Sequence, residues 1–369
     1  MFKNILSYLE EYQGVSLKEE SFNEVDAAIF AELSYPSLDK YLKQEEKIKA
    51  SKLIKRIESD KQRDKKDEKL HLLLSVLHSK RFIGMKIIQY VSKHDQDLAK
   101  QFQAITFIYQ KILIVSFSGT DSSLEGIKED MNMSYLDITP SEIESIEYLK
   151  RVSKTHPRYK LLLTGHSKGG RLALTSAKAL EKKEMIEGIY LFDAPNYESF
   201  FYDEEYELLL SRLHRYNPER SIIGRLITEP EKVKIIQSKN RYWQHNIFSW
   251  IVENNHFKEV DRYHRLFTKL VKAINTRLEK SSLEEKHLFT SNLCDILEHL
   301  PMYQVEKEED HPSNLDISTD EDHLTKENEP LSKLEMLKVF KESASSLKDE
   351  TNSVLKMIVS ILIDAVRMK

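Results

Sequence analysis

The 369-residue chain predicts an α/β fold: a mostly parallel sheet with helices on both faces, extended by helical elaborations at its N- and C-terminal ends. Three observations carry this. From about residue 103 to 238, short runs rich in Ile, Val, Leu and Phe alternate with stretches of helical period. One such run, Leu161-Leu162-Leu163-Thr164, passes directly into Gly165-His166-Ser167-Lys168-Gly169-Gly170 and then into a helix-like pattern. Three of the nine glycines of the whole chain, Gly165, Gly169 and Gly170, therefore crowd around one serine.

The elements follow in order. The first hundred residues read as helices, beginning with 17–34, where apolar spacing suits a helix face. Residues 38–68 are dominated by charges of both signs and read as a solvated helix or exposed connector. The stretch from Leu70 to Val91 reads as a buried helix pair with a break near Gly84. The period then changes, and residues 103–117 read as two strands joined by a tight turn near Gln110-Lys111. Thr139, Pro140 and Glu142 form an N-cap, a first-turn proline and a capping-box acid, which starts a helix. A buried-type strand over 159–164, a helix from Gly169 to Lys183 and a strand over 188–192 come next. Weaker strands are expected at 212–216 and 232–237, and helical patterns return over 247–303. Residues 304–330 are acidic, polar and bounded by prolines, so a linker or disordered loop is expected there, followed by one or two helices over 331–369. The domain expectation is thus 1–260, then a helical extension over 261–303, the linker 304–330 and C-terminal helices 331–369.

Composition narrows the function. The net charge of −4, with no block of Lys or Arg free of interleaved acids, argues against a nucleic-acid partner. The single cysteine, Cys294, has no internal disulfide partner. The N-terminus lacks the pattern of a signal peptide, and no run of about 18 apolar residues is present. The expectation is a soluble, cytoplasmic protein. No metal is expected, since no HExxH or close Cys/His/Asp cluster occurs, and no cofactor is expected.

Gly165-His166-Ser167-Lys168-Gly169 fits G-x-S-x-G with a strand before it and a helix after it, the context that gives the pattern meaning. A serine at such a turn stands in strained backbone, and Gly165 and Gly169 let strand and helix approach closely. Serine needs a base, and the base needs an orienting acid, in the order serine, acid, histidine. Of the eight histidines after Ser167, His214 lies in a strand-like run, His256, His264, His287 and His299 in helical patterns, and His311 and His323 in the acidic segment. His245 alone lies in a loop directly after the last strand-like run, which makes it the candidate base. Asp193 ends the strand after the serine's strand and is the preferred acid; Glu219, close to Asn217 at the end of the next strand, competes. The backbone N–H of Lys168 is one oxyanion donor, and Gly119-Thr120, after an early strand, is the natural place for the other.

With these residues placed, the chain resembles the lipase class 3-like branch of the α/β-hydrolases. It is most similar to an incompletely characterised bacterial hydrolase family carrying FxGTD and GHSKGG motifs. The matching stretches run from "SFNEVDAAIFAELSY" through "VSFSGTDSSLEGIKEDMNMS", "LLLTGHSKGGRLAL" and "YLFDAPNY" to "QHNIFSW", about residues 20–250. The resemblance implies a serine hydrolase of carboxylic esters, with acylglycerols and phospholipids as candidate substrates. It makes Ser167 the nucleophile, Thr120 the oxyanion-loop residue and His245 the family histidine. The chain departs from the class 3 pattern at Ser118, where Arg is usual, near Ile127, where an aromatic residue is usual, and at Asn217, where the later-strand acid would stand. Arg171 also replaces a more frequent Asn. The departure at Asn217 favours Asp193. The rival expectation is a hydrolase fold retained as a binding or regulatory module with weak or no turnover. In the tail, residues 354–363 are too short an apolar run to span a bilayer; a packed terminal helix is preferred, and peripheral membrane contact is its alternative.

Overall fold

A computed structural model of the chain describes residues 3–44, 46–64, 66–121, 126, 129, 133, 136–197, 201–228, 232–240, 244–280 and 282. The chain divides into two compact units, Met1–His264 and Arg265–Lys369.

The N-terminal unit opens with helices. In α1 (Ile5–Tyr12), the Asn4 side chain accepts the N–H groups of Leu6 and Ser7. α2 (Glu24–Glu32) starts on a capping box in which Asn23 and Asp26 satisfy each other's backbone. All nine residues of α2 are buried, so it has no solvated face, although three of them are acids. Each acid has a cationic or ring-nitrogen partner from another element: Glu24 meets His256, Asp26 meets Arg81, and Glu32 meets Lys69 and His166. After β1 (Ile48–Lys49) comes α3 (Ala50–Ser59), which lays Leu53 and Ile57 inward from the charged 38–68 stretch. α4 (Glu68–His78) is capped by Asp67.

The expected helix pair over Leu70–Val91 is corrected: only its first half is helical. Its second half enters β2 (Lys86–Asp95), which pairs along its length with β3 (Lys100–Tyr109). Ile87, Ile88, Tyr90 and Val91 are β-branched or aromatic, and a short apolar run of this kind does not distinguish a buried helix from a strand by period. β3 turns at Gln110, in left-handed backbone at φ 52°, into β4 (Ile112–Phe117). α5 (Pro140–Thr155) begins on the Thr139–Glu142 capping box with Pro140 in its first turn. β5 (Lys160–His166), α6 (Lys168–Lys178), β6 (Ile186–Phe192), the short α7 (Glu204–Glu207), β7 (Leu213–Pro218) and β8 (Val233–Ile236) complete the sheet. α6 ends five residues before the expected Lys183.

The eight strands lie in the order β1 to β8. β1 to β4 pair antiparallel and β4 to β8 pair parallel, giving a mostly parallel sheet of the α/β-hydrolase type. One core packs residues of α1–α4 on one face, among them Ile29, Phe30, Leu72 and Leu73. The other packs Tyr148, Leu149 and Val152 of α5 with Leu172, Ala173 and Ala177 of α6. The helical expectation for 247–303 is corrected at its start: Val252–Glu253 (β9) and His256–Phe257 (β10) form a small hairpin, which places His256 in a strand. Asn254, at φ 57°, makes the turn, a conformation that asparagine tolerates better than most residues. In the second unit the described helix is α8 (Arg265–Lys280).

Cys294, His287, His299, His311, His323, Ile127, the 304–330 segment and the 331–369 tail lie outside the described residues. Among the described residues no helix is long and apolar enough to cross a membrane, and no cluster of three His, Cys, Asp or Glu residues could hold a metal ion.

Candidate active site

The turn between β5 and α6 places Ser167 at φ 55° and ψ −131°, a strained conformation for a residue with a side chain. Two bonds hold it there: Ser167 N donates to Phe192 O at 3.0 Å, and Gly170 N donates to Ser167 O at 3.0 Å. The glycines around it are required by close approach. A Cβ on Gly165 would sit 2.2 Å from Gly169 C, and one on Gly169 would sit 2.1 Å from Phe117 O. The strand end, the helix start and the end of β4 thus touch backbone to backbone.

Asp193 follows β6 in left-handed backbone, φ 43°, and its N–H donates to Tyr216 O at 2.8 Å. Its side chain is buried, with both oxygens engaged. Oδ1 accepts the hydroxyl of Ser221 at 2.5 Å and the N–H of Gly224 at 3.0 Å, while Oδ2 lies 2.7 Å from Nδ1 of His245. Glu219 is directed elsewhere: its carboxylate lies 3.4 Å from Gln244 Nε2 and 4.0 Å from Arg220 Nε. Asn217 donates to Gly224 O at 2.9 Å and to the Tyr263 hydroxyl at 3.0 Å, which braces the turn that feeds Asp193. A small cleft beside the pair is lined by Arg220, Ile222, Ile223 and Gln244 together with Asp193 and His245.

The loop that carries Gly119 and Thr120 leaves β4 next to the elbow, since Phe117 is in register with Gly165. A Cβ on Gly119 would lie 2.1 Å from the Tyr35 hydroxyl and 2.8 Å from His166 O, so loop and elbow are in contact. Lys168 opens α6, where the first N–H groups have no intrahelical acceptor and favour negative charge. Its side chain has a second place, which sequence reasoning missed. It is buried, with Nζ donating to Gln101 O at 2.8 Å and Gln101 Oε1 at 2.5 Å, and lying 3.2 Å from Glu129 Oε2. Glu129 in turn accepts Ser141 N at 2.7 Å and the Ser141 hydroxyl at 2.6 Å, which ties the elbow to the start of α5.

The N-terminal helices also reach the site, another feature that sequence reasoning missed. His166 Nε2 lies 2.9 Å from the backbone oxygen of His245, and the two rings have centroids 4.5 Å apart. On the other edge of the ring, Nδ1 lies 3.3 Å from the Tyr35 hydroxyl and 2.9 Å from Glu32 Oε1. Lys69 Nζ stands 3.4 Å from Glu32 Oε2 and 3.4 Å above the Tyr35 ring. Burial opposes the charge on Glu32, but Lys69 and His166 outweigh it and hold the carboxyl down to about 2. Burial, then charge on His245, push the His166 pKa below its ordinary value against the pull of Glu32. An acid within an apolar helical run carries no spacing signal toward a histidine more than a hundred positions away.

A family model described as Mbeg1-like matches residues 76–295, more than half of the chain. The chain belongs to the Mbeg1-like family. The match takes in Thr120, Ser167, Lys168, Asp193 and His245 and begins after Glu32, Tyr35 and Lys69. Among solved structures, this Mbeg1-like chain is similar to a propeptide complex of the Rhizomucor miehei lipase, at 21% identity over 42% of this chain and 56% of that one, with a TM-score of 0.31. It is also similar to a fungal lipase–inhibitor complex, at 19% identity over 42% of this chain and 66% of that one, TM-score 0.32. Lipase II of Rhizopus niveus is 18% identical over 51% of this chain and 77% of that one, TM-score 0.33. The chain thus spans less than two thirds of the length of the first two of these lipases. No curated protein matches the chain. The bacterial FxGTD and GHSKGG likeness remains one of motifs.

Proposed function

We propose that this Mbeg1-like protein is a serine hydrolase of carboxylic esters, with lipid esters as candidate substrates. The observation that carries the reading is the 2.7 Å contact of His245 Nδ1 with buried Asp193, beside a serine in strained backbone at a strand-to-helix turn. In this reading Ser167 Oγ attacks the ester carbonyl carbon while His245 Nε2 takes its proton. Asp193 keeps the remaining ring proton on Nδ1 and supports the imidazolium. The Lys168 N–H and Thr120 receive the oxyanion. Collapse breaks the bond to the alcohol oxygen, which leaves with the proton from His245. Water, deprotonated by the same histidine, then cleaves the acyl-serine. Composition supports a cytoplasmic setting for this chemistry.

A fluorophosphonate probe, paired with p-nitrophenyl esters of increasing acyl length, tests the proposal. The native protein should be labelled at Ser167 and should turn over at least one ester. Ser167→Ala and His245→Ala should each lower kcat by roughly 10⁴-fold or more, and the double variant should be little worse than either single one. A native protein left unlabelled where a known serine esterase reacts fully would show a retained scaffold instead.

A further inference from the structure

His245 is gripped at two points. Asp193 takes its ring, and His166 meets its main-chain oxygen at 2.9 Å. A carbonyl only accepts, so the second contact requires a proton on His166 Nε2. On the other edge, Nδ1 lies 2.9 Å from Glu32 Oε1 and 3.3 Å from the Tyr35 hydroxyl, so two polar groups meet the ring there. A flipped ring would set carbon atoms against both the His245 oxygen and the Tyr35 hydroxyl, so the two edges together select one orientation. Lys69 in turn holds the other oxygen of the Glu32 carboxylate at 3.4 Å.

We propose that His166 is a positioning residue for the base: its Nε2–H fixes the His245 peptide, and Tyr35 and Glu32, on and just after α2, fix the His166 ring. The inference rests on His245 being the base of the reaction proposed above. His245 lies in neither a strand nor a helix, so the contact from His166 reaches a loop peptide. A base displaced by about 1 Å loses on the order of 10²-fold in rate. Glu32, Tyr35 and Lys69, all ahead of the 76–295 family match, therefore belong to the apparatus that aims the histidine.

The test compares His166→Gln with His166→Asn and His166→Ala in the full chain. Glutamine carries an amide nitrogen to about the place of Nε2; asparagine is one carbon too short, and alanine has no donor. Asn and Ala should lower kcat on p-nitrophenyl esters, and the rate of fluorophosphonate labelling, about 10- to 100-fold with KM changed less than about twofold. Gln should stay within about threefold of wild type. Lys69→Met, a change at a part-exposed side chain, should cause a smaller loss of the same kind, and it keeps the test open if the buried variants fold poorly. A readout free of turnover is the low-field proton NMR signal of His245 Nδ1–H on Asp193. It should persist in Gln and broaden by exchange in Asn and Ala. Equal rates in all four proteins, or equal loss in Gln, Asn and Ala with unchanged proton signals, would overturn the proposal. An unlabelled, inactive wild type would instead sink the hydrolase reading, while the proton signals still decide the positioning role.

Discussion

Asp193 and Glu219 stand close together in the chain's order of strands, and only the folded turn separates their roles. Ser221 and Gly224 fold back to fill Asp193 Oδ1, which leaves Oδ2 to face His245, whereas Glu219 turns to Gln244 and Arg220. Asp193→Asn should therefore lower kcat by roughly 10³- to 10⁴-fold, since an amide can leave the histidine in the wrong tautomer. Glu219→Gln should change it less than about threefold, and steady-state kinetics on one ester compares them; the reverse ranking would move the acid to Glu219. Ser167, His245 and Asp193 were all legible as candidates because each sits at a strand end or in a short motif. Glu32, Tyr35 and the side chain of Lys168 were not, because their partners come from distant elements and their local pattern is that of an ordinary helix. Glu32 also has a pH signature. Its folded pKa is about 2 against an ordinary value of 4.5, so below 4.5 the unfolded chain takes the proton first. The stability it contributes is complete above pH 4.5 and is lost as pH falls toward 2. Thermal melting of wild type and Glu32→Gln across that range should show the gap between them narrowing with acid; a gap independent of pH would contradict the assignment.

The elbow is an element whose sequence reads almost directly as geometry, because a backbone-to-backbone contact tolerates only glycine. Gly169→Ala would put a methyl group 2.1 Å from the Phe117 carbonyl, where relief means moving β4. The variant should lose at least the ~1–3 kcal/mol typical of overpacking, read as a lower urea midpoint, together with most labelling of Ser167. The same turn is anchored from below by the buried Lys168–Glu129 contact. Lys168→Met should destabilise the fold by about 3–5 kcal/mol because it strands a buried carboxylate, and adding Glu129→Gln should restore part of the loss. No restoration in the double variant would mean that Lys168 acts chiefly by packing. The capping box at Thr139 and the strands from β3 to β8 were legible, since caps and β-branched runs act locally. β2 and the β9–β10 hairpin were not. In β2 a short apolar run fits either period until its partner strand is known, and in the hairpin two consecutive asparagines, Asn254 and Asn255, were the overlooked turn signal.

At the scale of the N-terminal unit, the sheet is faced by helices that the sequence shows only as an elaboration, with no sign of what they hold. Arg81, with no exposed surface, binds Asp26 through Nε at 2.8 Å and Nη2 at 2.5 Å, and the Tyr8 hydroxyl donates to the same carboxylate at 3.1 Å. This contact joins α1, α2 and the turn before β2. Because α2 also carries Glu32, Arg81→Met should weaken the fold by about 3–5 kcal/mol in chemical denaturation and reduce ester turnover at temperatures where the protein is still folded. Turnover unchanged at equal folded fraction would separate the helical layer from the site. The strand order from β1 to β8 has a further consequence, for the time at which the site comes into being. Each strand pairs with the one made just before it, so a chain leaving the ribosome can extend the sheet by one edge at a time, with no early strand waiting for a late one to be inserted beside it. Glu32 and Tyr35 are synthesised first, the serine turn near the middle, and His245 only after the last edge strand. On the reaction proposed above, a nascent chain would have Ser167 in place before His245 is made, and reactivity would switch on only when synthesis has passed the final strand.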